Sequence, residues 1–461
     1  MVGTGRSRRG EVREVVVVGA SLSGLFAAAA AADAGCRVTV LERDTLPDAV
    51  VPRSGVPQSP QPHVLLHRGL LAAAAIVPGL EQDMVEAGAV RVNTGQLPWC
   101  GPYGWQPTDI PSYDVLSLTR PRLEHLVRRR VLARPDVRAV DGVRVQQLER
   151  RGTGWALHGS DGVVRTADVV VDASGRSSRL PHWLAALGVA VAEPEVVDAS
   201  LGYACQLFAS PAGRPPRTGV VVQATPQLPR GGLGLPVEDG GWLVGANGYG
   251  DHRPGRDDLQ GFLATLADPL LARVVATLEP VGEVAVHRQT ANRRHHYGRA
   301  ADWPAGLLVV GDALCAFNPI YGQGITVGAC QALVLGRALR GTGPLRTRSL
   351  QRRLGAVADV PWSVATGEDR RFLPQPGPTP WAGRLVDAWT TQVGLLLLTG
   401  DRRAAVAFGR VYHLMGSPRE LAHPALVWSV LRRVAAGVPL PDRPAPAIED
   451  LVGPAVPESG C

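Results

Sequence analysis

Val15–Val18 is an unbroken β-branched run that stops at Gly19. A run with no polar face predicts a strand covered on both sides, as in a parallel sheet. The alanine-rich stretch Leu22–Ala34, closed by Gly35, predicts a helix, and Arg37–Leu41 predicts the next strand, so residues 15–41 read as a βαβ unit. The buried-strand pattern returns at Val169–Val171 and at Leu307–Val310, the latter followed by Gly311-Asp312 and a predicted helix over Gln323–Leu339. These signals lie far apart, which predicts one sheet assembled from separate segments. Between them, proline-rich residues 47–62 predict a long ordered loop, and loops of that length inside a compact domain are usually functional. Leu118–Leu132 predicts a strand end leading into a helix. Residues 136–166 predict a small antiparallel ribbon with turns at Asp141-Gly142 and Asp161-Gly162. Ser200–Ala209, Gly219–Ala224, Gly232–Pro236 and Trp242–Asn247 predict a broader sheet, suited to wall a substrate cavity. After 345 the pattern is helical, and residues 439–457 are proline-rich and irregular.

The 461 residues allow about three lobes, and 45% apolar with 19% charged residues suits a globular chain. The chain contains no lysine, so its 48 basic residues are all arginine; a Schiff-base lysine and a P-loop lysine are excluded. The net charge of +7 is spread along the chain, denser at Arg6–Arg9, Arg128–Arg130 and Arg352–Arg353. Dispersed arginines read as solvated faces, so no nucleic-acid partner is expected. Six cysteines without any C-x-x-C spacing support neither a zinc ribbon nor a disulfide framework. Arg8-Arg9 ahead of an uncharged run imitates a twin-arginine signal or a membrane span. Glu11, Glu14 and the break at Gly19–Gly24 favour a strand and a buried helix instead, so a cytoplasmic protein without stable membrane insertion is expected.

The segment Gly19-Ala20-Ser21-Leu22-Ser23-Gly24 sits between strand and helix, where a dinucleotide fold places its turn. Gly19 permits the turn, Gly24 permits close helix–strand packing, and the helix N-terminus offers free N–H groups to a diphosphate. Ser21 occupies the middle glycine position of the fingerprint, where its hydroxyl either crowds or hydrogen-bonds that group. Glu42, 23 residues beyond Gly19, stands where a ribose hydroxyl acceptor is needed, beside Arg43. A nucleophile elbow around Ser21 is disfavoured, because Ser23 replaces its closing glycine.

Two further segments give the chain a family resemblance. Gly306-Leu307-Leu308-Val309-Val310-Gly311-Asp312, followed by Asn318-Pro319-Ile320-Tyr321-Gly322-Gln323-Gly324-Ile325, resembles the second FAD fingerprint of the p-hydroxybenzoate-hydroxylase-like monooxygenases. Asp168-Val169-Val170-Val171-Asp172-Ala173-Ser174-Gly175-Arg176 resembles their middle motif. Within that superfamily, Arg53-Ser54-Gly55-Val56-Pro57-Gln58 with His63, Tyr103-Gly104-Trp105-Gln106, Asn292-Arg293-Arg294 with Tyr297, and Trp303-Pro304 resemble the flavin epoxidases of polyether antibiotic pathways such as monensin and lasalocid assembly. The likeness runs from about residue 14 to 330. Ser54, Gln61 and Ser174 depart from the pattern; the last stands where the superfamily has an aspartate that helps receive NADPH.

The resemblance implies an α/β fold: a Rossmann-like FAD-binding domain from 1–75, 112–190 and 290–345, a β-sheet substrate domain from 76–111 and 191–289, and a C-terminal helical region over 346–461. It implies non-covalent FAD held by Gly19, Ser21, Gly24, Glu42, Arg43, Arg53, Arg120, Asp312, Pro319, Gly322, Gly324 and Ile325, with Arg53, Pro319 and Gly322 nearest the chemistry. NAD(P)H is the implied electron source, directly or through a separate flavin reductase. The implied reaction passes one atom of molecular oxygen from a flavin C4a-hydroperoxide to a lipophilic natural-product intermediate such as a polyene or terpenoid. Alkene epoxidation is the first reading, because no protein base stands out. Aromatic-ring hydroxylation, and flavin-dependent dehydrogenation, reduction or cyclisation without oxygen transfer, are the alternatives. Trp99, Trp105, Tyr203, Trp242 and Phe317 are the candidate pocket-lining aromatics. His63 and His67 lack a third partner, so no metal site is expected.

Overall fold

The computed structural model describes residues 12–211, 214–341, 343–374 and 381–452. Arg6–Arg9, the Arg8-Arg9 pair, Cys461 and residues 453–457 of the proline-rich tail lie outside the described residues.

A parallel sheet of five strands forms the first lobe, in the order Leu307–Val309, Val169–Asp172, Glu14–Val18, Arg37–Leu41 and Val137–Val140. Val15 is in register with Val169 on one side and Val38 on the other, so the β-branched runs stack across its centre. The three segments that carry buried-strand patterns are neighbours in space. Helix Leu22–Ala32 is buried along almost its whole length against helix Gln323–Leu339. Small residues permit that approach: a Cβ on Gly336 would come within 2.9 Å of the Ala30 carbonyl oxygen.

The expected ribbon over 136–166 is divided differently. Val137–Val140 follows helix Arg120–Leu132 and joins the edge of the parallel sheet, pairing with Arg37–Leu41. Only Val145–Arg151, Gly154–Gly159 and Val164–Ala167 form the antiparallel meander. The alternating pattern of 137–140 suits an edge strand of either sheet, and the preceding helix delivers it to the parallel one.

A seven-stranded sheet makes the second lobe, in the order Glu279–His287, Leu201–Ala209, Gly241–Tyr249, Arg230–Pro236, Val220–Val222, Trp99–Gly101 and Gly104–Trp105. Its two faces follow the period of two along each strand. Ala204, Phe208, Trp242, Val244 and Ala246 point to a core closed by helices Leu259–Ala264 and Leu270–Val275. Leu201, Tyr203 and Cys205 point to the opposite side, toward Ile320 and Phe372.

Beyond 345, helices Thr347–Ala356 and Asp359–Arg370 bury Leu350, Leu354, Trp362 and Ala365 against the parallel-sheet lobe. Helices Trp381–Leu398, Arg402–Tyr412 and Pro424–Ala435 share a small core of their own around Val393, Leu396, Ala404 and Val430. No helix of the described residues is long and apolar enough to cross a membrane.

Candidate functional site

The turn between strand Glu14–Val18 and helix Leu22–Ala32 needs both of its glycines. Gly19 has φ of +105°, and a Cβ there would lie 2.6 Å from the Ala173 carbonyl oxygen. A Cβ on Gly24 would lie 1.9 Å from the Gly19 carbonyl oxygen. The turn is therefore closed by backbone packed against backbone. Ser21 caps the helix without a side-chain cap bond, which leaves the first-turn N–H groups facing a cleft.

That cleft has a volume of about 880 Å³. It is lined by Glu42, Arg43 and Val143–Val145, by Gly19, Ser21 and Arg120, and by Asp312, Phe317–Pro319, Gly322, Gly324 and Ile325. A site of this size touching three separated chain segments suits a large ligand that carries charge. Gly24 stands just behind it as packing.

A charged cage supports the turn. Ser21 Oγ donates to Glu124 Oε2 at 3.2 Å and accepts from Arg120 Nη2 at 3.1 Å, so the hydroxyl replacing the middle glycine is tied into the protein. Arg53 Nε donates to Glu124 Oε1 at 2.7 Å, and its Nη1 lies 3.4 Å from Asp44 and 3.5 Å from Glu42. Arg53 borders the cleft, but its guanidinium is largely committed to these carboxylates. Glu42 accepts from the N–H of Ala20 at 2.7 Å and of Asp44 at 3.0 Å, each oxygen keeping a further lone pair. Arg43 bonds Ser177 Oγ at 3.1 Å, linking the first and middle motifs. Arg120 is 6% exposed, and its Nε has no hydrogen-bond partner among the described residues. An enclosed donor on a cleft wall is unfavourable unless something accepts from it.

The strand of the middle motif ends on Asp172, which is fully buried and accepts from Ser174 Oγ and Ser178 Oγ at 2.5 Å each and from the Ser174 N–H at 3.0 Å. Burial pushes its carboxyl group up, and these three donors partly offset that. Ser174 is thus held by its own strand end. Arg176 donates to the carbonyls of Ala291 and Phe317 and lies 3.8 Å from Asp312, joining the middle motif to the third.

Asn318–Gly322 forms a short 3-10 turn, Pro319–Tyr321, that ends on Gly322 at φ +63° before helix Gln323–Leu339. A second cavity of about 50 Å³ lies between this loop and the broad sheet, lined by Gln61, Pro62, Val64, Tyr203, Cys205, Leu233, Gly245, Ile320 and Tyr412 among others. It carries no carboxylate, imidazole or guanidinium. Its titratable members are poor bases near neutral pH: burial raises Tyr203 and Cys205 well above their usual ranges and pushes Tyr412 up to about 12.

His63 borders the large cleft. Its Nδ1 meets the Gln61 carbonyl at 2.5 Å, and burial, aided by the Arg120 charge, lowers it to about 3. His67 turns away to the Asp114 carbonyl and the Tyr113 ring, and no group of three or more His, Cys, Asp or Glu among the described residues could hold a metal ion.

Of the candidate aromatics, Phe317 borders the cleft and Tyr203 the small cavity. Trp99 lies edge-on to Tyr412 at 6.1 Å and bonds Gln223. Trp105 and Trp242 belong to the core on the far face of the broad sheet, away from both cavities. Strand alternation sends even-numbered Trp242 opposite to Tyr203's side, and the Trp105 indole is bonded to Asp268. Glu124 and Asp369 escaped the sequence reading. The Arg120-x-x-x-Glu124-x-x-x-Arg128 spacing is a visible signal for the first; the second lies in the stretch beyond the resemblance.

The NAD(P)-binding Rossmann-like domain family matches residues 17–47, which span the glycine turn and Glu42. Among solved structures, a flavoprotein/dehydrogenase from Cytophaga hutchinsonii superposes with a TM-score of 0.65 at 16% identity, covering 93% of this chain and 98% of that one. A variant of HpxO from Klebsiella pneumoniae complexed with FAD gives 0.56 at 17%, covering 91% and 98%. The OxyS anhydrotetracycline hydroxylase from Streptomyces rimosus gives 0.56 at 17%, covering 88% and 77%. These likenesses show a shared fold. Protein Rv3254 of Mycobacterium tuberculosis is 34% identical over 345 residues, 70% of this chain and 72% of its own length, and this chain belongs to the same family as Protein Rv3254.

Proposed function

We propose that the chain is an FAD-dependent monooxygenase that passes one oxygen atom to a neutral, lipophilic small molecule, with alkene epoxidation as the reaction. The observation that carries this reading is the continuous cleft from Glu42 past Gly19 and Arg120 to Asp312 and the Pro319–Ile325 loop. Its donors and acceptors suit FAD. Free N–H groups at the helix N-terminus and the Arg120 guanidinium on the cleft wall suit a diphosphate; Glu42 and Asp312 suit hydroxyl groups of ribose and ribityl; the loop backbone at Pro319, Gly322 and Gly324 suits a flat ring. Structures of the same fold include one complexed with FAD and one named as a hydroxylase.

Reduced flavin bound there supplies the electrons that activate molecular oxygen for attack on an electron-rich carbon. The protein's part is to bind, orient and exclude water. The small cavity beside the loop is mostly apolar, so it disfavours water and charged groups next to the loop. It offers no group able to take a proton from a phenol at neutral pH, whereas addition across an alkene needs none. That difference supports epoxidation over ring hydroxylation. With Ser174 committed to Asp172, the electrons of NAD(P)H arrive either directly or through a separate flavin reductase.

Turnover under labelled oxygen gas tests the reading: one labelled atom in an epoxide product is expected. A labelled phenol would move the assignment to ring hydroxylation, and turnover without label would replace it with dehydrogenation or cyclisation. Anaerobic mixing with NADPH separates direct from reductase-mediated reduction by whether the yellow colour bleaches without a partner.

A further inference from the structure

The loop Asn318–Gly322 carries no charged side chain, yet a buried carboxylate from the C-terminal helices holds it. Asp369, near the end of helix Asp359–Arg370, is 1% exposed. It accepts from Asn292 Nδ2 at 2.6 Å, from Asn318 Nδ2 at 3.0 and 3.1 Å, and from the Tyr321 hydroxyl at 2.8 Å. No cation pairs with it among the described residues.

We propose that Asp369 is a positioning residue whose acceptor-only carboxylate fixes the Asn292 and Asn318 amides and thereby holds the loop Asn318–Gly322 against the cofactor cleft. An ionised carboxylate can only accept, so both amide nitrogens must face it. The Asn318 oxygen is then left to receive the Ile320 N–H at 3.2 Å and the Tyr203 hydroxyl at 2.7 Å. The Asn292 oxygen is left to receive the Asn318 N–H at 2.8 Å. Reversing either amide would put its oxygen against the Asp369 carboxylate and its NH₂ group against a backbone N–H, in a site where Asn292 and Asn318 are 0% and 1% exposed. One acceptor thus sets the polarity of the network and reaches Tyr203 on the wall of the small cavity. Phe372, stacked on Tyr249 at 3.7 Å and 5°, keeps the end of the same helix on that sheet. The loop's conformation follows from these bonds alone; its importance for catalysis rests on the FAD reading above.

Asp369→Asn places an NH₂ group among three donor side chains. Amide hydrogen exchange of the flavin-free protein, read on peptides spanning 318–322, is expected to accelerate about tenfold, and the FAD dissociation constant to rise about tenfold. Adding Asn318→Asp to Asp369→Asn exchanges donor and acceptor across the same contact, so exchange and affinity are expected to return most of the way to wild type. Thr366→Ala, on the same helix with its hydroxyl turned back to the Trp362 carbonyl, controls for loosened helix packing and is expected to leave the loop's exchange within about twofold. Unchanged exchange in Asp369→Asn, or a double variant no better than the single, would overturn the proposal. If the single variant does not fold, the double variant decides alone: wild-type exchange supports the polarity argument, and fast exchange defeats it. A wild-type chain that bound no FAD would defeat the proposed function while leaving the exchange result intact.

Discussion

Removing Glu124 tests whether Arg53 serves the protein or the ligand. Glu124 is 5% exposed and lies among Arg53, Arg120 and Arg128, which are 8%, 6% and 7% exposed. It meets Arg53 Nε at 2.7 Å, with Arg120 Nε at 3.7 Å and Arg128 Nη1 at 3.9 Å. Glu124→Ala leaves Arg53 with Glu42 and Asp44, and Arg120 with the Ser21 hydroxyl, so one buried negative charge is withdrawn from three guanidiniums. Breaking a buried pair from one side costs about 3–5 kcal/mol. Glu124→Gln keeps an acceptor for Arg53 Nε and loses only the charge, which places it lower, at about 1.5–3 kcal/mol. Arg53→Met is destabilising too, and combining it with Glu124→Ala gives less than the sum, with a coupling of about 1–3 kcal/mol. Urea denaturation followed by tryptophan fluorescence measures all four proteins. Arg53→Met with stability within about 0.5 kcal/mol of wild type and a collapsed FAD affinity would refute the cage argument and make Arg53 a ligand contact first.

The remaining expectations are more local. Gly24→Ala drives a Cβ to 1.9 Å from the Gly19 carbonyl oxygen, so a cost of about 1–3 kcal/mol and weaker FAD binding in a fluorescence titration are expected. Gly394→Ala, in helix Trp381–Leu398 with open space around its Cβ, should instead stabilise by up to about 1 kcal/mol. His413 is fully buried, its Nδ1 accepting from the His67 N–H, and burial lowers it to about 4. The unfolded chain therefore binds the proton first, so this contribution is complete above about pH 6.5 and declines as pH falls toward 4. Unfolding midpoints measured across that range should fall less steeply in His413→Gln. Trp242→Ala should cost about 3–5 kcal/mol as a core deletion, whereas Leu233→Trp, which overfills the small cavity, should suppress turnover at a smaller stability cost of about 1–3 kcal/mol.

Much of the first lobe is legible from local pattern. The unbroken runs at Val15–Val18, Val169–Val171 and Leu307–Val310 identify strands covered on both faces, and these are adjacent in the parallel sheet. Gly19, Glu42 and Asp312 are readable because a turn or a strand end restricts which residues fit there. Spacing cannot tell which way a side chain faces once strands of two sheets are available. Trp242 and Tyr203 look alike as aromatics of a β-rich stretch, and only the pairing of Leu201–Ala209 with Gly241–Tyr249 puts one in the core and the other on the cavity.

The sequence by itself determined the parts whose causes are local: the βαβ unit, the glycine turn and the acidic residues at strand ends. Tertiary structure alone decided which distant groups meet. It set Glu124 between Arg53 and Arg120, carried Asp369 from beyond the recognisable motifs to Asn318, and left Arg120 Nε without a hydrogen bond from the described residues beside the cleft. The reason is physical: a buried charge or amide settles where its hydrogen bonds can be completed, and that depends on surfaces brought together by residues far away in the chain.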